Sequence, residues 1–207
     1  MSVGRQFSAA LYPQVTADLW GWDNTTNSLT INTGLIANIW YNDAVTYAYS
    51  EGGFSASAQV AQKQSNPGWA GVANRSPYSM AIGYAAGPWS LRGGYERPAD
   101  GTSWWSALSG TYDFKVVELR GFLGDGKDYQ SKPVRSWQVS AVVPVGLGQI
   151  RASYGQYKHD DTVGQAKRSV GYYYYLSKRT AVYSNFAHDN KAQSHPSGYE
   201  LGLQHVF

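Results

Sequence analysis

Ser197-Gly198-Tyr199-Glu200-Leu201-Gly202-Leu203-Gln204-His205-Val206-Phe207, the last stretch of the chain, decides how the rest is read. In an extended strand Tyr199, Leu201, Leu203, His205 and Phe207 share one face, while Glu200, Gly202, Gln204 and Val206 share the other. The first face is mostly apolar, and the final residue falls on it as an aromatic side chain. An ordinary edge strand of a soluble sheet alternates in the same way, so the choice depends on whether the preceding residues keep this phase.

Working outward, composition narrows the classes. The 207 residues include 23 glycines, 17 tyrosines and 8 tryptophans, with only 15% charged residues. Aromatic residues suit pleated surfaces and glycine suits tight turns and crowded walls, so this is the chemistry of strands. Mean hydropathy is −0.42, and no apolar run approaches the ~18 residues of a membrane helix. A transmembrane β-barrel stays open, because its alternating strands hide their apolar content from any averaged scale. The formal charge of +3 is too balanced to indicate nucleic acid. Without cysteine there is no disulfide framework and no thiolate metal site. Met1-Ser2-Val3-Gly4-Arg5 carries no basic-then-apolar leader, so an export signal is expected to be absent from this chain.

The phase persists. Ser2 to Ala9 reads as a short strand, and from Asp43 onward apolar residues recur at every second position. Val45, Tyr47 and Tyr49 begin the series, Phe54 to Val60 and Tyr78 to Tyr84 continue it, and Val182 and Phe186 lead into the terminal strand. The opposite positions hold glycine, serine, glutamine and scattered charge, where a soluble sandwich would place a bulky core. About twelve strands result. Residues 10–42 alone break the rhythm, as a long loop whose Trp20, Trp22 and Trp40 argue against disorder. Connections are expected to alternate between tight turns, such as Ser50 to Gly53 and Ala86 to Pro88, and longer polar ones, such as Gly124 to Pro133 and Lys158 to Gln165. Short turns on one rim and long loops on the other describe an all-β, antiparallel up-and-down transmembrane β-barrel. One domain over residues 1–207 is expected, with 10–42 folded inward and no helix-period segment.

Five short pieces in order also resemble the general porins of Gram-negative outer membranes, of the β-proteobacterial type. They are Val3-Gly4-Arg5-Gln6, Asp43-Ala44-Val45-Thr46-Tyr47, Val143-Pro144-Val145-Gly146, Tyr175-Leu176-Ser177-Lys178-Arg179-Thr180, and the ending from Gly202-Leu203 to Phe207. The resemblance implies an outer-membrane location, a homotrimer among outer-membrane lipid, and a long loop folded into the lumen of a sixteen-stranded barrel. It covers strands five to sixteen of such porins, with no counterpart of the first four. A fragment and a native twelve-stranded relative are both open, and the terminal strand either pairs with Ser2 to Ala9 or remains an open edge.

The function implied is passive diffusion of small hydrophilic solutes and ions through a constriction whose width and transverse field select them. Phase places Arg92, Glu96, Glu118, Arg120 and Arg151 on the lumen face, the three arginines forming a basic wall. Strict alternation with Val3 turns Arg5 outward, whereas the resemblance implies an inward constriction arginine and hence a local bulge. Asp18 and Asp23 stand where the family carries its acidic loop segment; capping of turns or pairing with neighbouring arginines is the plainer role for them. The balance leans weakly towards anions, although Trp40, where relatives often carry a wall arginine, reduces that lean. Tyr199, Leu201, Leu203 and Phe207 would form the outward membrane-interface and assembly face of the last strand, with Phe207 at the short-turn rim.

No catalytic residue, cofactor or metal is indicated. His159, His188, His195 and His205 have no ligand spacing, and no nucleophile motif is present. In the run Tyr172 to Tyr175 alternation sends half of the rings to lipid, which favours wall and girdle over sugar stacking. Two other readings remain, a plugged non-conducting membrane barrel and a soluble carbohydrate-binding β domain.

Overall fold

A computed structural model describes residues 1–67, 71 and 74–207. Period-two patterning becomes twelve antiparallel strands in one sheet whose spatial order is the chain order. They are β1 (Ser2–Phe7), β2 (Trp40–Glu51), β3 (Phe54–Ala61), β4 (Tyr78–Ala86), β5 (Trp89–Arg97) and β6 (Trp104–Asp113). Then follow β7 (Glu118–Lys127), β8 (Pro133–Val145), β9 (Gly148–His159), β10 (Thr162–Tyr175), β11 (Thr180–Asp189) and β12 (Ser197–His205). A twisted sheet of this many strands curls instead of lying flat. The order begins at β1 and ends at β12, and no pairing joins these two among the described residues.

The two faces differ as their phase requires. Tyr47, Ile82, Leu123, Val139 and Val170 are exposed on the outer face, whereas Ser79, Ser109, Gln138, Ser153 and Asn185 are buried on the inner one. Outward rings collect at both strand ends. Tyr49 and Phe54 (6.3 Å between centroids), Tyr84 and Trp89 (5.5 Å), and Tyr112 and Phe114 (4.4 Å) sit at the tight-turn rim. Phe7 and Trp40 (3.8 Å), and Tyr78 and Tyr95 (6.1 Å), sit at the opposite rim. On β4 the two girdles stand six residues apart, roughly 20 Å at the rise of a strand, close to the apolar band of an outer-membrane barrel. Of the tyrosine run, Tyr172 and Tyr174 are exposed and Tyr173 is buried inward. No helix of the described residues is long and apolar enough to cross a membrane.

Three sequence expectations need correction. Residues 10–42 contain two short helices, α1 (Leu11–Val15) and α2 (Leu29–Thr33), and Trp40 already belongs to β2. One helical turn is too short to display a period. The connection expected from Lys158 to Gln165 is a two-residue turn at Asp160 (φ 49°) and Asp161 (φ 61°). Aspartate tolerates the left-handed region, and two such residues match the twist of a hairpin. The connection expected from Gly124 to Pro133 shrinks to residues 128–132, so asymmetry at this rim is carried partly by longer strands.

Candidate pore constriction

Residues 8–39 lie against the inner face and reach every strand from β3 to β12. At the start, the Ala9 amide donates to Ser79 Oγ (3.0 Å) and Gln59 Oε1 (3.3 Å). The two ends of the segment meet at Glu96. Its carboxylate accepts from Ser8 Oγ (2.5 Å), from the Asn38 amide (2.5 Å) and from Tyr41 OH (2.9 Å), while wholly buried. The inward loop is therefore closed at its base by one side chain of β5.

Along the middle, a ladder of inward donors grips the loop backbone. Arg120 Nη1 on β7 donates to the Thr16 carbonyl (2.8 Å), and Gln138 Nε2 on β8 to that of Ala17 (3.4 Å). Arg151 Nη1 on β9 donates to the Leu19 carbonyl (2.9 Å), and Lys167 Nζ on β10 to that of Asn27 (2.7 Å). Further round, Trp20 Nε1 donates to Asn185 Oδ1 (3.2 Å) on β11, and the Thr25 amide donates to Glu200 Oε2 (3.0 Å) on β12. The carbonyls of an irregular segment need partners when buried, and the basic wall supplies them.

Apolar contacts complete the seat. Trp105 on β6 is wholly buried among Ile31, Ile36, Phe122 and Val134, and its Nε1 donates to the Asn32 carbonyl at the end of α2 (3.1 Å). Leu19 and Trp20 pack on Tyr173 and Ala181.

The expected site residues divide. Arg92, Arg120 and Arg151 all face inward. Arg92 bonds Ser90 Oγ (2.9 Å) and lies over the Tyr12 ring of α1 (5.2 Å). Arg120 is also paired with Glu118 (2.7 Å). Arg151 stacks on Tyr173 (3.9 Å), and Gln149, with its amide oxygen turned to the guanidinium, accepts from Nε and Nη2 at 2.7 Å each. Arg5 is not brought to this wall. A bulge does interrupt the β1–β2 register, but Asn42 and Asp43 of β2 stand opposite the single Arg5, so the extra residue is on the neighbouring strand. Asp43 takes it up at φ 48°, β1 keeps its alternation, and the Arg5 guanidinium lies over Trp40 (5.5 Å) on the outer side.

Asp18 is buried and spent on the loop, accepting from the amides of Trp20 (2.7 Å) and Ser28 (2.6 Å). Asp23 is exposed and accepts only from the Asn24 amide (2.9 Å) among the described residues. Tyr199, Leu201 and Leu203 are more than 60% exposed on the outward side of β12, and Phe207, two residues past its end, is fully exposed. Glu96 had its face assigned from phase but not its role. Gln138, Lys167, Asn185 and Glu200 are each polar in the inward phase, which by itself gives them no role. Trp105 had a signal as well, since adjacent tryptophans at 104 and 105 must send one ring inward.

Burial pushes the Asp18 carboxyl above the usual carboxylate range, against the pull of the Trp20 and Ser28 amides and the charges of Lys167 and Arg120. A raised value means that the folded state binds the proton more readily than the unfolded one. Stability linked to Asp18 therefore rises as pH falls through that raised value and levels off below the unfolded value of about 3.9. Thermal unfolding in detergent should show this increment in the wild-type chain as pH is lowered towards 4. It should be missing in Asp18→Asn; an identical pH response in both proteins would contradict the assignment.

Between α1 and the inner faces of β2 to β5 a cavity of about 370 Å³ remains, lined by Tyr12, Pro13, Ser55, Ser57, Gly83 and Arg92. At ~30 Å³ per water it has room for roughly a dozen. A family model described as Gram-negative porin matches residues 1–193. The chain belongs to the Gram-negative porin family. No curated protein sequence matches it significantly. Among solved structures it is similar to the anion-selective porin from Comamonas acidovorans, with 22% identity and a TM-score of 0.78 over 99% of this chain and 73% of that one. It is similar to a loop-deletion mutant of OmpT, an outer membrane protein of Vibrio cholerae, with 11% identity and a TM-score of 0.77 over 98% and 74%. OmpF of Salmonella typhi, in complex with daunomycin, gives 15% identity and a TM-score of 0.76 over 99% and 73%. The fold is thus that of porin barrels, and the protein is an outer-membrane channel and not an enzyme.

Proposed function

We propose that this porin passes small hydrophilic solutes and ions by passive diffusion, with a weak preference for anions, as a homotrimer in the outer membrane. Residues 1–207 act as one barrel domain, and the segment 10–42 narrows its lumen. The observation that carries the anion preference is the pairing of the inward charges. Glu96 and Asp18 are buried and bonded to the loop, and Glu118 is neutralised by Arg120. Arg92 and Arg151 have no carboxylate within salt-bridge distance among the described residues, and Arg92 lines the cavity beside α1. Asp23, which is exposed, and Glu200, half-buried on β12 and bonded to the Thr25 amide and to Asn185, are the acids that offset them. Guanidinium groups in a narrow aqueous slot raise the local concentration of anions, and the similar Comamonas porin is itself described as anion-selective.

Reversal potentials across a planar bilayer under a potassium chloride gradient test this reading. The wild-type channel should favour chloride, and Arg92→Ala with Arg151→Ala should move the chloride-to-potassium permeability ratio towards cations by roughly two- to threefold. An unchanged ratio would remove these arginines from the selectivity element, and absence of conductance in a folded sample would remove the channel.

A further inference from the structure

Across the outer face of β6 to β9, one row of residues reads Ser106, Asp125, Arg135 and Lys158, each the cross-strand partner of the next. Arg135 and Lys158 are both exposed and directly opposite, an arrangement that repels unless an anion lies between them. Asp125 answers only Arg135, across 3.4 Å, and Lys158 has no ion-pair partner among the described residues. The row stands at the rim opposite the tight turns. One step down each strand, Leu108, Leu123 and Trp137 begin the apolar band.

The wall beneath these cations is not flush. A groove of about 500 Å³ opens between Ser106, Leu108, Leu123 and Trp137, where serine is the small residue between two large ones on β6. It adjoins a second groove of about 320 Å³ that shares Leu108, Leu123 and Trp137. A third, of about 420 Å³, shares Leu91, Gly110 and Gly121 with the second. Gly110 and Gly121 are cross-strand partners, and a Cβ at Gly121 would meet nothing within 4 Å. Neither a turn nor a close approach requires Gly121, and glycine inside a strand weakens it. What the pair produces is a furrow. From Asp125 to Leu119 it descends six residues of β7, roughly 20 Å, which exceeds half of a ~30 Å hydrocarbon core.

We propose that this furrow binds a membrane phospholipid of net negative charge, its phosphate between Arg135 and Lys158 with no headgroup cation to oppose them, and one acyl chain along Leu108, Leu123 and the Gly110–Gly121 gap. A phosphate relieves the repulsion of the two cations and accepts charge-assisted hydrogen bonds from both. A flexible tail fits a long, narrow, apolar slot. A second copy of the chain fits less well, because a symmetric contact through this face would set the same cations against each other.

Native mass spectrometry of the refolded full chain in detergent, with phosphatidylglycerol or phosphatidylcholine of the same chain length, tests the site. Phosphatidylglycerol should be retained in preference, and Arg135→Ala with Lys158→Ala should reduce its retention by about tenfold. Gly121→Leu should reduce retention of both lipids. Each variant should keep wild-type conductance, which reports a folded channel, and Arg135→Lys with Lys158→Arg should keep the lipid. Inorganic phosphate should fail to displace it, since the tail contributes to binding. Equal retention by the wild-type and double-alanine proteins would overturn the proposal. A Gly121→Leu protein with altered oligomeric state and unaltered lipid retention would overturn it too, making the furrow a contact between copies.

Discussion

Trp105→Ala should loosen the inward segment, lowering stability by about 3–5 kcal/mol and raising single-channel conductance. The indole has no exposed surface, and it lies in a slot walled by glycine. A Cβ on Gly34 would come within 2.4 Å of the ring, one on Gly124 within 2.2 Å and one on Gly126 within 2.8 Å. Gly34 is needed twice over, because it also ends α2 in the left-handed region at φ 59°. Truncating the ring leaves a void among Ile31, Ile36, Phe122 and Val134 and strips the Asn32 carbonyl of its donor. With α2 unseated, the segment is free to leave the lumen towards the rim, which widens the path. Denaturant titration in detergent reads the stability, and bilayer recording reads the conductance. Gly124→Val should reproduce both effects from the other side of the slot. A Trp105→Ala channel with unaltered conductance would show that the segment is held elsewhere.

Glu96→Ala should be nearly as costly, about 3 kcal/mol, because it leaves three donors unanswered at one point. Ser8 Oγ, the Asn38 amide and Tyr41 OH all converge on this carboxylate, which has no cation partner among the described residues. The expected result is faster hydrogen exchange at the Asn38 amide and a lower unfolding temperature. Glu96→Gln should recover part of the loss, since its amide keeps one acceptor oxygen. If Glu96→Ala left exchange at Asn38 unaltered, the loop would not be closed by Glu96.

How much of this was legible in the sequence depends on the range of the interaction concerned. Exposure of Tyr47, Ile82 or Leu123 follows from a period of two, which neighbouring residues carry among themselves. The tight turns at Gly52-Gly53 and Gly87-Pro88 follow from local glycine and proline. The two-residue turn at Asp160-Asp161 reads in sequence as part of a longer loop because polar residues near it, Lys158 and Gln165, belong to strands that rise above the rim. For Arg5, alternation along β1 gave the outward direction and family resemblance the inward one. The bulge that both considerations turned on lies in β2, where a single-strand reading does not place it.

The site was less legible. Phase put Arg92, Arg120 and Arg151 on one face, yet it could not tell that two of them hold the loop backbone. Arg120 reaches Thr16 and Arg151 reaches Leu19 across more than a hundred residues of sequence. Nor could phase separate Asp18, which is used up by the amides of Trp20 and Ser28, from Asp23, which stays exposed.

By itself, then, the alternation that ends in Tyr199, Leu201, Leu203 and Phe207 determined an up-and-down strand order, the lipid-facing and inward sets, and a channel class. Those properties are local, repeated every second residue, and need no knowledge of what lies across the lumen. Only the tertiary structure decided the path of residues 8–39, the closure at Glu96, the seat of Trp105 and which inward charges keep no ion-pair partner among the described residues. These depend on which buried donor finds which acceptor, and such pairing is settled by distance in space between residues that are remote in the chain.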